Sequence, residues 1–356
     1  MSAVVTPRRA GILPPYLLDH VAQAAPARAR QCARLSRQIT AQLRQQRALG
    51  LLARIRPPAA DAADTPTEQA VQRQIYDAQQ GTALPGTLVR AEGAAATDDV
   101  AVTEAYDYLG ATHAFFQTVY ARNSIDGDGM PLIGTVHYER GYDNAFWNGE
   151  QMVFGDGDGE IFNRFTIAID VVGHELTHGV TERTANLIYQ DQSGALNESL
   201  SDVFGVLIKQ YTLQQQASEA DWIIGAGLLM PGINGVGLRS MRAPGTAYDD
   251  PALGKDPQPA SMDGFVDTQE DDGGVHYNSG IPNHAFYRAA VAIGGYAWEK
   301  TGRIWYRALT GGELAAGADF ATFAALTVRI AGADYGASRA EATAVQQAWR
   351  DVGVLT

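Results

Sequence analysis

Cysteine is almost absent from this chain: Cys32 is its one thiol. A single cysteine forms no internal disulfide and cannot build a thiolate-rich zinc knuckle, so any metal site must draw on histidine and carboxylate ligands. Long apolar runs are absent too. No stretch nears the roughly 20 uninterrupted apolar residues that a membrane-spanning helix needs, which argues against a membrane partner. Positive charge is scarce, with 27 Lys and Arg against 40 Asp and Glu for a net charge of −13. That sign repels a phosphate backbone, so nucleic acid is not an expected partner. With 46% hydrophobic and 19% charged residues, the chain is no disordered polymer. Its 356 residues suffice for two lobes at roughly 100–200 residues per domain.

The scarce positive charge is unevenly spread. Residues 1–56 hold ten arginines against Asp19 alone, a surplus of +9 that leaves −22 for the rest of the chain. Such asymmetry suggests an arm with its own role, able to dock electrostatically on an acidic body; a solvated basic helix is the plainer explanation. Arg8 and Arg9 invite comparison with a targeting signal, but Pro14, Pro15 and Asp19 interrupt the apolar stretch that follows. The expectation is synthesis in the cytoplasm without a classical signal peptide, any export then following a non-classical route.

Pro14 and Pro15 are expected to fix an extended stretch. Residues 16–54, rich in Ala, Leu, Gln and Arg, read as one or two helices. The proline-punctuated stretch 55–66 reads as a linker or protease-accessible boundary. Asp-Gly turns between short β-branched runs suggest a strand-rich lobe over 71–165, with a helix near 98–121. Beyond it, helices are expected over 166–184, 197–216, 281–294, 301–310, 320–332 and 338–351.

The first helix of that second half contains Gly173-His174-Glu175-Leu176-Thr177-His178. Histidines at i and i+4 project from one helical face and can share a cation, and Glu175 beside them can reach a water on that cation without taking a ligand position. A string of this form arises by accident in a chain this long on the order of once in a hundred. A surface helix with two solvated histidines is the competing explanation.

A hydrolytic metal site needs a third protein ligand and an open fourth position. Downstream, Asn197-Glu198-Ser199-Leu200-Ser201-Asp202 again places two acids at i and i+4. Glu198 is assigned as third ligand, and Asp202 as the acceptor that orients one histidine through its other ring nitrogen. A third cluster, Asp271-Asp272-Gly273-Gly274-Val275-His276, combines a tight turn with an acid near enough to bond His276 and hold it protonated.

These residues resemble one family, the thermolysin-like zinc metallopeptidases or gluzincins. The likeness extends over Asn144-Ala145-Phe146-Trp147-Asn148-Gly149, Gly155-Asp156-Gly157-Asp158-Gly159, Leu187-Ile188-Tyr189-Gln190, Leu238-Arg239-Ser240-Met241 and Gly274 to Gly280, in family order. It spans roughly residues 80–356. A short N-terminal segment carrying Pro14-Pro15-Tyr16-Leu17-Leu18 places the chain nearest the protealysin-like members. The implied fold is α+β in two lobes: a β-rich N-terminal lobe over 57–184 including the zinc helix, which forms the cleft floor, and a mainly helical C-terminal lobe over 185–356. A helical prosegment and linker, 1–56, precedes them.

The implied reaction is hydrolysis of internal peptide bonds, with zinc as Lewis acid, His174, His178 and Glu198 as its ligands and Glu175 as general base. By the same resemblance His276, paired with Asp271, and Tyr189 donate to the developing oxyanion, while Asn144, the backbone of Ala145, and Arg239 hold the substrate backbone. The pocket for the residue after the scissile bond maps onto Phe162, Phe165, Val171, Ile224 and Leu238, which predicts preference for a bulky hydrophobic residue there. Ordinary core packing is the plainer role for each of the five.

The chain departs from the family at its paired calcium site. Asp170 and Asp221 are kept, but Lys209, Ile223 and Ala226 stand where oxygen ligands belong, so this double site is expected to be lost, with Lys209 pairing to Asp170 or Asp221. The prosegment is expected to lay Pro14, Pro15 and Tyr16 across the cleft, held partly by its arginines, and to be removed autocatalytically near 45–65. Cys32 as a thiolate cap on the zinc is the weaker alternative to plain packing. Expected partners are protein or peptide substrates and the chain's own prosegment, with a dedicated protein inhibitor left open. Two other functions compete: a catalytically silent module that holds peptides in the same cleft, and a structural zinc protein, which three protein ligands and an open position disfavour.

Overall fold

The computed structural model describes residues 11–48 and 71–356. Two helices open it, α1 (Pro15–Ala24) and α2 (Ala27–Ala48). The prolines act differently from the sequence expectation. Pro14 is extended (φ −63°, ψ 150°), but Pro15 takes the first helical position of α1, where its missing amide hydrogen is no loss and its fixed φ suits a helix. Leu17, Leu18 and Val21 bury one face of α1. Most of the expected cleavage stretch 45–65 lies outside the described residues.

The N-terminal lobe contains strands β1 (Arg73–Asp77), β2 (Thr87–Ala91), β3 (Leu132–Val136), β4 (Ala145–Trp147) and β5 (Met152–Phe154), with helix α3 (Val100–Tyr120) after β2. The sheet order is β2-β1-β3-β5-β4. β1, β3 and β5 run parallel, while β2 and β4 pair antiparallel at the two edges. Asp99 caps α3, accepting from the amides of Ala101 (2.8 Å) and Val102 (3.2 Å). Asp99 also meets His137 Nε2 at 2.8 Å, and the other ring nitrogen of His137 meets Asp156 at 2.8 Å. The two acids, Asp156 first, outweigh burial and lift His137 to about 9. This Asp-His-Asp bridge ties the end of β3 to the head of α3 and to the Gly155–Gly159 loop.

The C-terminal half is helical: α4 (Ile169–Glu182), α5 (Asp191–Leu213), α6 (Asp271–Asn278), α7 (Gly280–Ile293), α8 (Thr301–Thr310), α9 (Phe320–Tyr335) and α10 (Ala340–Asp351). Helix α5 starts six residues before the sequence reading places it, because Gly194 is a weak helix former whose position is fixed by packing. A Cβ on Gly194 would stand 2.5 Å from the Val275 side chain.

The approach of α4 to α5 sets the geometry of everything near it. A Cβ on Gly173 would come within 2.7 Å of Ile208 and 3.1 Å of Gly205 Cα, and one on Gly205 within 2.5 Å of the Asp170 carbonyl oxygen. Two facing glycines let the helix backbones touch, so side chains one turn along each helix can meet.

Lys209 on α5 occupies the place expected of it. Its Nζ lies 2.9 Å from both Asp170 and Asp221 and donates to the Ile223 carbonyl at 2.5 Å. Burial disfavours the ammonium, but Asp170 and then Asp221 more than offset it and raise the Lys209 pKa. Lys209→Met strands the buried Asp170 carboxylate and is expected to lower stability by about 3 kcal/mol, read from chemical denaturation. Added Ca²⁺ should leave the wild-type melting temperature unchanged, and a rise of several degrees would show that a divalent ion still competes for this place. Gly205→Ala is expected to lower stability by about 1–3 kcal/mol through overpacking and to weaken metal retention in equilibrium dialysis. Wild-type retention in that variant would mean that the helix contact does not set the site.

Candidate active site

Helix α4 presents His174, Glu175 and His178, all buried. Helix α5 crosses it with Glu198 and Asp202, also buried. The two imidazoles stand 3.1 Å apart at their Nε2 atoms, and Glu198 lies 3.4 Å from His174 Nε2 and 3.3 Å from His178 Nε2. Potential ligand atoms of all three fall within 4.8 Å of one another.

The outward nitrogens explain why these atoms converge. His174 Nδ1 meets Asp202 Oδ1 at 2.8 Å, and His178 Nδ1 meets Asn197 Oδ1 at 2.8 Å and Ser201 Oγ at 3.0 Å. With Nδ1 carrying the proton toward an acceptor, each Nε2 turns a lone pair inward. Two facing lone pairs and a carboxylate repel one another unless a cation lies between them, and no hydrogen bond reaches Glu198 Oε2. The donor set of two imidazoles and one carboxylate suits zinc. Burial alone raises the Glu198 pKa, but His276 and His178 outweigh it and hold the carboxyl well below its ordinary range.

Asp202 serves more than His174. It takes two bonds from Arg239 at 2.8 Å each and one from Asn283 Nδ2 at 2.8 Å. Burial opposes its charge, yet Arg239 and His174 pull its pKa down to about 2. Glu175 Oε2 accepts from the Trp147 amide at 3.0 Å, so β4 fixes the acid beside the two histidines.

On the far side, His276 Nδ1 lies 2.7 Å from Asp271 Oδ1, and the His276 amide donates to Asp271 Oδ2 at 2.8 Å. Residues 271–274 have φ of 52°, 52°, 84° and 76°, a left-handed turn that curls Asp271 back under the helix and needs glycine at its end. Burial disfavours protonated His276, but Asp271 and Glu198 raise its pKa. Tyr189 donates its hydroxyl to Glu198 Oε1, and the hydroxyl lies 3.4 Å from His276 Nε2. The residues assigned from sequence thus meet in one place, with Tyr189 bonded here to a candidate ligand.

The prosegment enters the site as an extended strand, at residues earlier than expected. Ile12 donates its amide to the Ala145 carbonyl at 3.1 Å, and its carbonyl accepts from Arg239 Nη1 at 3.1 Å. Leu13 donates to Asn144 Oδ1 at 3.0 Å and accepts from Asn144 Nδ2 at 3.5 Å. Gly11 passes so close that a Cβ there would lie 2.1 Å from the Ala145 oxygen. Gly11 to Leu13, not Pro14 to Tyr16, therefore lie along Asn144 and Ala145, because Pro15 has already begun α1. Tyr16 instead packs its ring on Tyr277, centroids 4.3 Å apart. Ile12 is fully buried in the same apolar cluster as Phe162, Phe165, Val171, Ile224 and Leu238.

Arginine docking is seen only in part, with Arg28 near enough to the Asp143 carboxyl of the body to favour its charge. Arg37 pairs with Asp19 at 2.6 Å and Arg34 donates to the Ala22 carbonyl, both within the prosegment. Arg8, Arg9, Arg54 and Arg56 lie outside the described residues, as do the side chains of Arg44 and Arg47. Cys32 packs at Gly141, away from the histidines. Asn197, Ser201 and Asn283 are site residues that sequence reasoning missed, although the first two lie within the quoted Glu198 string. No helix among the described residues is long and apolar enough to cross a membrane.

Comparison with known proteins agrees with this geometry. The family model described as thermolysin metallopeptidase, catalytic domain, matches residues 61–182, and that described as thermolysin metallopeptidase, alpha-helical domain, matches residues 185–354. The chain is 54% identical over 343 residues to an extracellular metalloprotease of Pectobacterium carotovorum subsp. carotovorum, covering 96% of each protein. It is 44% identical over 289 residues to a thermolysin of Alicyclobacillus acidocaldarius subsp. acidocaldarius, covering 78% of this chain and 50% of that one. The solved structure of the precursor of protealysin, a metalloproteinase from Serratia proteamaculans, superposes with a TM-score of 0.88 at 57% identity, over 97% of this chain and all of the other. The two matched models together account for most of the chain, the site they bracket carries the family's ligand set, and the chain belongs to the thermolysin-like metallopeptidases.

Proposed function

We propose that this chain is the zymogen of a neutral zinc endopeptidase that cuts on the amino side of bulky hydrophobic residues. One observation carries this reading: the register of the prosegment on β4. Leu13 donates to the Asn144 side chain and Ile12 to the Ala145 carbonyl, an order that fits an antiparallel approach in which the residues before Ile12 would run toward Trp147. Trp147 is where Glu175 is anchored. In that register the peptide bond on the amino side of Ile12 would face the catalytic acid, and the buried Ile12 side chain would stand for the hydrophobic residue after the cut. A substrate laid in the same register would present the bond before its hydrophobic residue.

His174, His178 and Glu198 would hold the zinc, which supplies a Lewis acid when bound. The chain's own residues divide the remaining work. Glu175 takes a proton from the attacking water and passes it to the leaving amine. His276, kept protonated by Asp271, and Tyr189 stand across the site as donors for the carbonyl oxygen as it gains charge. Arg239 holds the substrate carbonyl, and its two bonds to Asp202 place it relative to His174. Asn144 grips the next residue by both its amide and its carbonyl, as it grips Leu13 here.

The prosegment inhibits by occupying this frame while offering little of it. The chain leaves the extended path after Pro14, since Pro15 opens α1, and α1 anchors by burying Leu17, Leu18 and Val21. Release would follow a cut in the linker made by the enzyme itself. Purified wild type is expected to shed a basic piece of ~5–6 kDa, as about 50 residues would weigh at the chain's mean residue mass, while Glu175→Ala stays intact with its metal bound. General-base removal should lower peptide hydrolysis by about 10²–10⁴-fold. Hydrolysis by Glu175→Ala at the wild-type rate would refute the assigned base, and an intact wild type that holds metal and hydrolyses nothing after its linker is nicked with trypsin would favour the peptide-binding module instead.

Specificity offers an independent check. In a peptide library, cleavage before Leu, Ile or Phe is expected to exceed cleavage before Ala by at least about tenfold in kcat/KM, measured by mass spectrometry of products. A library cut before charged residues at equal rate would remove the apolar pocket from the proposal.

A further inference from the structure

Where α2 lies on the catalytic body, it covers an acid that makes no salt bridge among the described residues. Asp143 is fully buried, and neither of its carboxylate oxygens has a hydrogen-bond partner. The burial involves the prosegment directly. The Asp143 amide donates to Ser36 Oγ at 2.7 Å, and Ser36 belongs with Arg28 and Cys32 to one stripe of α2, at i, i+4 and i+8. Cys32 presses on the neighbouring turn so closely that a Cβ on Gly141 would lie 2.6 Å from its sulfur.

A second buried acid stands beside the first. Asp158 takes three backbone amides on Oδ1, from Glu160 at 2.8 Å, Ile161 at 2.7 Å and Phe162 at 3.0 Å, while its Oδ2 has no partner. Of the two, Asp158 is far better supplied with donors, so the pair is least costly with the proton on Asp143. Burial and the nearby Asp158 hold the Asp143 carboxyl well above the ordinary carboxylate range, with the Asp158 amide and the exposed Arg28 giving partial relief. Tyr142 and Cys32 are the other titratable groups near it, and Glu160 lies close to Cys32. Neither Asp143 nor Asp158 belongs to the metal ligands or the catalytic groups assigned above.

We propose that Asp143 is the proton-sensing latch of the prosegment: α2 docks on the neutral carboxylic acid and is released as that acid ionises, so the zymogen is held shut in acid and loosened toward neutral pH. The inference rests on the prosegment being the docked inhibitor. Its sign follows from linkage. The docked state keeps a proton that exposed Asp143 would lose near the ordinary value of ~3.9. Docking therefore weakens as pH rises above that value, by up to about tenfold per pH unit, and levels off once the docked carboxyl itself ionises. Ionised Asp143 beneath α2 would face the Asp158 carboxyl with only the Asp158 amide and the exposed Arg28 to offset it.

The test uses the full chain with Glu175→Gln, which keeps the prosegment attached, and follows amide hydrogen exchange from pH 5 to 8 after correction for intrinsic rates. Protection of the α1 and α2 amides is expected to fall at least tenfold over that range relative to α9 and α10. Adding Asp143→Asn should raise their protection at pH 8 and flatten the profile. Ser36→Ala, which removes the amide contact and leaves the acid, should lower protection at every pH with the slope unchanged. An identical pH profile with and without Asp143→Asn would overturn the latch. Lower protection in Asp143→Asn throughout would overturn it too, since it would mean that Asp143 docks as a charge paired to Arg28. Unprotected α1 and α2 amides at every pH would be a different failure, that of the docked prosegment itself.

Discussion

Two glycines facing each other across a helix crossing make the rest of this active site possible. With Gly173 and Gly205 in backbone contact, the next turn of α4 brings His174 and His178 to the level at which α5 carries Glu198 and Asp202. Any larger side chain at the crossing separates the helices, and imidazole-to-carboxylate distances of 3.3–3.4 Å leave no slack to absorb it. Asp202 then extends the constraint outward. It bonds His174, Arg239 and Asn283 together, so the group that orients a metal ligand also fixes the arginine that grips a substrate carbonyl. An error in placing one becomes an error in placing the other.

The edge strand β4 performs the complementary task. Its three residues contribute little to sheet area, yet on the side away from β5 no further strand of the sheet pairs with them, and such an edge is a template for another chain. Ala145 offers its carbonyl to the incoming chain while Trp147, two residues on, positions Glu175. Substrate backbone and catalytic acid are thus measured from the same strand. That shared ruler is why the prosegment's register says which bond of a substrate would face the acid.

The metal ligands were legible from sequence because their signal is local: two histidines one helical turn apart, then two acids one turn apart. The helices themselves followed from periodicity, with α5 entered late because Gly194 disguises its first turn. What escaped the sequence depends on contacts between distant segments. Nothing in the spacing marks Gly173 and Gly205 as facing each other, 32 positions apart. The register of the prosegment was misplaced because a proline pair satisfies two rules, an extended conformation and the first turn of a helix, and only packing of Leu17, Leu18 and Val21 selects the second for Pro15. Asn197 and Ser201 stood in a quoted motif, but their service to His178 appears only when α4 and α5 meet. Lys209 was legible for the opposite reason, since an ammonium between two retained acids admits few arrangements.

The charge asymmetry of the chain also finds a place, different from the one composition suggests. A segment at +9 on a body at −22 looks like an electrostatic clamp. The described contacts that hold the segment are instead short-ranged: backbone bonds from Ile12 and Leu13, apolar burial along α1, and ring packing of Tyr16 on Tyr277. Coulomb attraction between exposed charges fades beyond about 8 Å at physiological salt, so a dispersed positive surface adds little to a hold made at contact distance. It does act on approach, raising the rate at which a tethered basic segment finds an acidic cleft. Speed of docking and strength of docking are therefore assigned to different atoms. The arginines that set the first can vary in position, whereas Gly11, Ile12 and Leu13 cannot, because each is matched to a named group on Asn144, Ala145 or Arg239.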